Sequence, residues 1–402
     1  MNGATVSRPA DATDHGHSQA PLPPGDAPLP RRPARTGWRR RRRWVGLTLI
    51  AALIPATISY VQALTYPGNA SLAVRTVEWV RDHGGAPVVN LAENLYYRLH
   101  APADAPPDPN ALPIGTVDTG GTARPVTVAP IAPIVTPALS GEGAWTRAAA
   151  IPGNAASVLT TFIRPDPAHA SVVAGIARFD QRTVSTRLIP GTREPSGLGW
   201  PEAGQVPAVS RPNLLATFNS GFKMKDANGG FSVDGRTPVP LRNGAASVVI
   251  NTSGVVHIGA WGRDVGPTLD VVAVRQNLDV IIDHGQVVPG LDVNGGGQWG
   301  SASNQLQYTW RSGLGVTANN DLVYVGGAGL TLSTLAAALS QAGVVTGMEL
   351  DIHNQMVDMF TYDHTAHLPD HLVGAPLLPT MPGPVDRYLQ ADQRDFFALT
   401  AR

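Results

Sequence analysis

The residues best suited to chemistry crowd into one short stretch, GMELDIHN, Gly347 to Asn354. In an extended chain alternate side chains share a face. Met348, Leu350 and Ile352 are then expected in a core, with Glu349, Asp351 and His353 pointing the other way. Two carboxylates and an imidazole are costly to bury and unnecessary for packing. At the exit of an apolar strand they suit acid–base work or a hard divalent cation, and the spacing leaves both open beside a plain polar outer face of an edge strand. Asn219 follows in interest: in ATFNSGFKM an apolar run meets Ser220-Gly221, and the amide is either presented at a turn or spent on its own backbone. Arg311 precedes the small residues of WRSGLGVT, where a guanidinium could grip a phosphate through two hydrogen bonds or pair with a carboxylate such as Asp351.

Other signals are weaker. Gly295-Gly296-Gly297 follows no strand-to-helix pattern and reads as a loop near the site, not a phosphate cradle. His284 in IIDHGQ reads as a hairpin turn. The GxSxG, HExxH and Walker patterns are missing, and the chain has no cysteine, which excludes disulfides, thiolate metal sites and cysteine nucleophiles.

The elements that must position these residues are short. From Gly141 onward the chain alternates strand-like runs with tight turns, including Asp234-Gly235 and Asn243-Gly244 as hairpin turns. One clear helix, TLSTLAAALSQAG, carries Leu332, Leu335, Ala336 and Leu339 on one stripe, with Ser333 as its cap and Gly343 as its stop. Strand-rich with few helices, residues 141–402 form an α+β or mixed α/β body, and no fixed-period repeat is present.

The 402 residues allow two average domains or one large one with appendages. Net charge is zero, yet nine arginines face only three aspartates before Trp44, so the rest is acidic by six. A basic tail on an acidic body argues against a nucleic-acid partner. Residues 1–38 lack apolar periodicity, and with Arg39 to Arg43 they read as a disordered, arginine-rich tail, 1–43. Trp44 to Leu64 are 21 uncharged residues, about 31 Å as a helix at ~1.5 Å each. This predicts a single-pass membrane helix, 44–64, with a cytoplasmic N-terminus and an extracytoplasmic body; the rival is a signal peptide cleaved after Ala63. Residues 70–100 read as two helices, with Leu72, Val77, Trp79 and Val80 leading to a stop at Gly84, and form a stalk or lie on the bilayer. Residues 101–139, rich in Pro and Ala, read as a spacer, so 65–140 joins membrane to body.

Taken in order, FNSGFKM, WRSGLGVT, the helix and MELDIHN resemble the phosphodiester glycosidase family. That family's pattern is an Asn-Gly-Gly-Phe-Phe-like turn, an Arg-Thr-Ala-Ile-Gly-like strand, a helix, and an Asn-Leu-Asp-Gly-Gly-Gly-Ser-like strand end. The resemblance covers roughly residues 141–365. It implies hydrolysis of a sugar-1-phosphodiester, with Arg311 countering phosphate charge; on an extracytoplasmic body the substrate expected is an envelope glycan or exopolysaccharide. Asp351 or Glu349 would activate water or face the oxocarbenium-like centre, and Asn219 would hold a sugar hydroxyl or phosphate oxygen. Lys223, His353 and Asn354 stand where the pattern has Phe and glycines, and join Asn219 as substrate-binding candidates. Two other readings stand beside it: a glycan binder with an aromatic groove of Trp261, Trp299 and Trp310, and a metal-dependent hydrolase built on Glu349, Asp351 and His353.

Overall fold

Short apolar runs separated by glycine turns cannot bury themselves singly, and here they pair into antiparallel sheets. The computed structural model describes residues 36–66, 70–113, 127–195, 197, 199–301, 305–364 and 372–402. Most of the disordered tail expected at 1–43, and residues 114–126 of the spacer, lie outside the described residues.

Among the described residues there are three sheets. The first has eight strands, with Leu322–Leu330, Thr309–Thr317 and Val344–Ile352 side by side at its centre. The second, of five strands, includes Phe231–Val233, Val271–Gln276 and Ala246–Asn251. The third, also of five, places Leu214–Asn219 between Met359–Asp363 and Phe396–Ala401. Phe218 of the third sheet packs at a tilt against Tyr324 of the first (4.9 Å between ring centres) and against Phe397 (5.3 Å), so the first and third sheets share a core. The other face of the first sheet is covered by the helix Leu332–Gln341, whose Leu335 and Leu339 are fully buried beside Val323 and Val325.

The helix is the predicted one, with one change. Thr331, not Ser333, is its cap: the Thr331 hydroxyl accepts from Thr334 N while the Thr334 hydroxyl accepts from Thr331 N. The Asp234-Gly235 turn joins paired strands as expected. Asn243-Gly244 does not make a hairpin, because Phe231–Val233 and Val271–Gln276 lie between the strands it connects. His284 and Gly285 both hold positive φ, 48° and 77°, the conformation of a tight hairpin between Val280–Asp283 and Gln286–Val287.

Toward the N-terminus, α1 spans Thr36–Thr65 and contains the arginine run and the uncharged 44–64 segment. Among the described residues, no helix is long and apolar enough to cross a membrane; several side chains of this segment, such as Leu47 and Ile50, lie outside the described set. Two more helices follow, α2 at Leu72–Val80 and α3 at Ala86–Leu99, broken where His83 and Gly84 leave helical geometry (Gly84 φ 86°). The described parts of 101–139 are not a free spacer. Ile131 N donates to Gly143 O, Arg164 donates to Val135 O, and Ile131 packs with Trp145 in the core.

Candidate functional site

The strand Val344–Ile352 is buried on both faces, so the simple alternation expected for an edge strand fails at its end. Pairing with Thr309–Thr317 steps from Gly313↔Glu349 to Arg311↔Ile352, which leaves one extra residue on the later strand. Such a bulge re-aims the side chains on either side of it. Glu349 and Asp351, two residues apart, therefore enter different surroundings.

Glu349 is completely buried. One carboxylate oxygen accepts from Arg311 Nη1 at 2.7 Å and the other from Gln305 Nε2 at 3.0 Å. Arg311 is equally buried; it also donates to Leu330 O at 2.8 Å and to Gln305 Oε1 at 2.6 Å. Burial pushes Glu349 up and Arg311 down, and the opposite charge of each partner counters that shift. Neither side chain lines the cavity that Asp351 faces. Among the described residues no three His, Asp or Glu side chains are grouped to hold a metal ion. The metal triad of Glu349, Asp351 and His353 is not assembled, because Arg311 holds Glu349 in the interior.

Asn219 is also interior. Its Oδ1 accepts from Tyr324 Oη at 2.8 Å and Asp358 N at 3.2 Å, and its Nδ2 donates to Ser220 O and Ser312 Oγ, both at 2.9 Å. Ser312 Oγ in turn donates to Asp351 O, and Asp351 N donates to Ser220 O. The three stretches read from the sequence thus meet backbone to backbone, with Asn219 as their clamp. Gly221 is required for this approach: a Cβ there would lie 2.8 Å from Asn277 Cγ.

Asp351 faces a cavity of about 600 Å³. Lys223, His353, Asn354 and Arg394 line it from the body, and α2, the break after it and α3 line it with Glu78, Arg81 and Glu93 respectively. Asp351 Oδ2 accepts from Arg394 Nη2 at 2.8 Å, and Oδ1 from Ile352 N at 2.8 Å. Desolvation raises its pKa to about 6, against the pull of the Arg394 charge. His353 goes the other way: burial first, then the charges of Arg81 and Arg311, lower it to about 3, so the ring is neutral. Its backbone is left-handed (φ 77°), as is that of Gln355 (φ 72°), and its buried Nδ1 has no hydrogen-bond partner. Lys223 Nζ lies 3.3 Å from Glu78 and 3.5 Å from Asp82; Lys225 lies 2.5 Å from Asp82. Partial burial raises the Asp82 pKa, but the hydrogen bond from Lys225 and the charges of both lysines hold it below the ordinary value.

Of the seven predicted site residues, then, Asp351, Lys223, His353 and Asn354 share one cavity, while Asn219, Arg311 and Glu349 lie beneath it. Trp261 and Trp299 are buried and Trp310 packs on the core; none lines this cavity. Arg394 was not found from sequence. Its signal is the charged run Asp392–Asp395 set directly against the apolar FFALTA, an arrangement that needs partners: Arg275 takes Asp395, and Arg387 takes Asp392. A larger cleft of about 880 Å³ runs past Trp145, Arg178 and Arg182, but those arginines are paired with Asp321 and Asp180.

With this geometry established, comparison with known proteins adds distant likenesses only. No family model and no curated protein sequence matches the chain. Among solved structures it is similar to the catalytic domain of zebrafish N-acetylglucosamine-1-phosphodiester alpha-N-acetylglucosaminidase, auto-inhibited by pro-peptide. Identity is 14%, the TM-score 0.39, and coverage 64% of this chain and 87% of that one. A hypothetical protein from Synechocystis matches at 14% identity and TM-score 0.31, over 64% of this chain and 62% of that one. A putative exported protein from Burkholderia pseudomallei K96243 matches at 13% and 0.31, over 59% and 75%.

Proposed function

We propose that the chain hydrolyses a sugar-1-phosphodiester in the cavity faced by Asp351, releasing the sugar and a phosphomonoester. The observation that carries this reading is the setting of Asp351: a strand-end carboxylate at a cavity wall, with a pKa near 6, beside Arg394 and within the same cavity as Lys223. Above that pKa Asp351 is ionised and able to accept a proton from an attacking water. The water oxygen bonds to the anomeric carbon, the carbon–oxygen bond to phosphate breaks, and the electron pair stays on the departing phosphate oxygen. The water's proton passes to Asp351. A phosphodiester leaves readily without a strong general acid, so a single carboxylate acting as base is enough for the reaction.

In this reading the roles divide by depth. Lys223, Arg394 and Arg81 supply positive charge to the phosphate, and neutral His353 and Asn354 hydrogen-bond sugar hydroxyls. Arg311, Glu349 and Asn219 hold the strand end in place rather than touch substrate. Glu78 and Asp82 now occupy the lysine ammonium groups, and an incoming phosphate takes their place. The proposal keeps the body outside the cytoplasm, with Arg39–Arg43 inside and Trp44–Leu64 as anchor, on the strength of the charge run abutting the uncharged segment. Envelope glycan is the substrate that this placement favours.

The test is turnover of a panel of sugar-1-phosphodiesters by the full chain and by Asp351→Asn, with and without EDTA. The reading requires sugar release by the first, a fall of roughly 10²-fold or more in the variant, and indifference to EDTA. Equal turnover by both removes Asp351 from the chemistry, and no release from any member removes the reaction class.

A further inference from the structure

A surface helix of a water-soluble domain turns its apolar stripe inward and its polar stripe out. In α3 the order is reversed. Ala86, Asn90, Glu93 and Tyr97, one stripe at helical spacing, face the cavity and body. Asn94 hydrogen-bonds to Gln307 of the body. The opposite stripe is Val88, Leu91, Leu95 and Leu99, all exposed, Leu91 by 71% and Leu99 by 73%. It carries no charge. A continuous apolar row on a helix whose polar side is already used marks a contact with something apolar.

What covers it is indicated by its neighbours in the chain. More than half of the exposed large apolar side chains among the described residues lie between Trp44 and Leu99, including Ile54, Ile58 and Val61 of α1. The uncharged segment Trp44–Leu64, taken above as the anchor, ends 24 residues before Val88 and so keeps α3 close to the bilayer surface, where an exposed apolar helix stripe sits at the acyl boundary. We propose that the Val88–Leu99 stripe of α3 is a bilayer-docking surface that lies in the interface of the membrane next to which the anchor holds it. The cavity lies behind this helix, so its ligand would be met at the headgroup layer. The proposal does not depend on the reaction assigned above.

Because the chain has no cysteine, single labels are clean. Leu91→Cys, and separately Leu95→Cys, would be labelled with an environment-sensitive fluorophore in the full chain. Leu269→Cys, fully exposed in the body, is the reference. The labelled proteins are bound to vesicles of phosphatidylcholine and phosphatidylglycerol, some carrying nitroxide-labelled lipid at shallow depth. Full-chain binding through α1 alone would not move these labels, so the readout is specific to α3. The expected result is a blue shift at 91 and 95 with at least two-fold quenching by the nitroxide lipid, and neither at 269. Water-like emission at 91 and 95 on vesicle-bound protein would overturn the proposal. So would a blue shift that needs no lipid and grows with protein concentration, which would mean that a second copy covers the stripe.

Discussion

Glu349 and Asp351 are the same chemistry two residues apart on one strand, and the fold treats them in opposite ways. Glu349 lies under the sheet surface with both oxygens engaged by Arg311 and Gln305. Asp351, past the bulge, keeps one oxygen on its own backbone and offers the other to Arg394 at a cavity wall. Both are raised by desolvation, yet only Asp351 is at a surface a ligand can reach. A perturbed carboxylate is therefore not in itself a site; the perturbed carboxylate with access is.

The sharpest way to break this comparison is at the buried pair. Arg311→Met leaves Glu349 buried without its cation, and a loss of about 3–5 kcal/mol is expected in urea unfolding. Adding Glu349→Leu to that variant should recover most of it, since an apolar pair of similar size needs no counter-charge. Recovery by the double variant separates a scaffold pair from a substrate-binding arginine.

His353 supplies a pH test from the cavity side. Its pKa in the fold, about 3, lies below the ordinary value of 6.5, so the stability it contributes is present above pH 6.5 and is lost as pH falls toward 3. At pH 5 the loss is no more than about 2 kcal/mol, part of the residue as a whole remaining open to solvent. His353→Gln should flatten this acid limb. Asp351 has the opposite sign: raised from 3.8 to about 6, it favours the protonated fold, so its effect is a stability that declines as pH rises between those values. Unfolding of the two variants across pH 4 to 7 should therefore shift in opposite directions.

Smaller effects refine the wall. Lys223→Met should raise KM several-fold for a phosphodiester substrate, on the order of 1 kcal/mol of lost charge contact, while Asp82→Asn should lower it by freeing the lysines. Gln355→Gly, at a left-handed position, should stabilise the fold by about 1 kcal/mol in thermal or urea unfolding.

Much of the fold could be read from local pattern. Alternation and glycine turns marked the strand runs, and the Leu332–Gln341 helix announced itself by spacing and its Gly343 stop. What could not be read depends on partners far away in the chain. The covering of Val344–Ile352 on both faces comes from Phe218, Phe397 and the helix, so nothing in GMELDIHN reveals that Glu349 is interior. The bulge that separates it from Asp351 is a property of pairing. Arg394 reaches Asp351 from 43 residues downstream, and α2 and α3, read as stalk or surface helices, form a cavity wall. The order of motifs singled out three stretches that meet in the fold, but it did not show which of their side chains point inward.

The most direct measurement is the pH dependence of turnover on a sugar-1-phosphodiester for the full chain and for Asp351→Asn, with folding of both checked by unfolding. The expected result is a rate that rises with pH through about 6 in the full chain and is lost, limb and all, in a variant that stays folded. A folded Asp351→Asn protein with the same rate and the same rising limb would contradict the assignment.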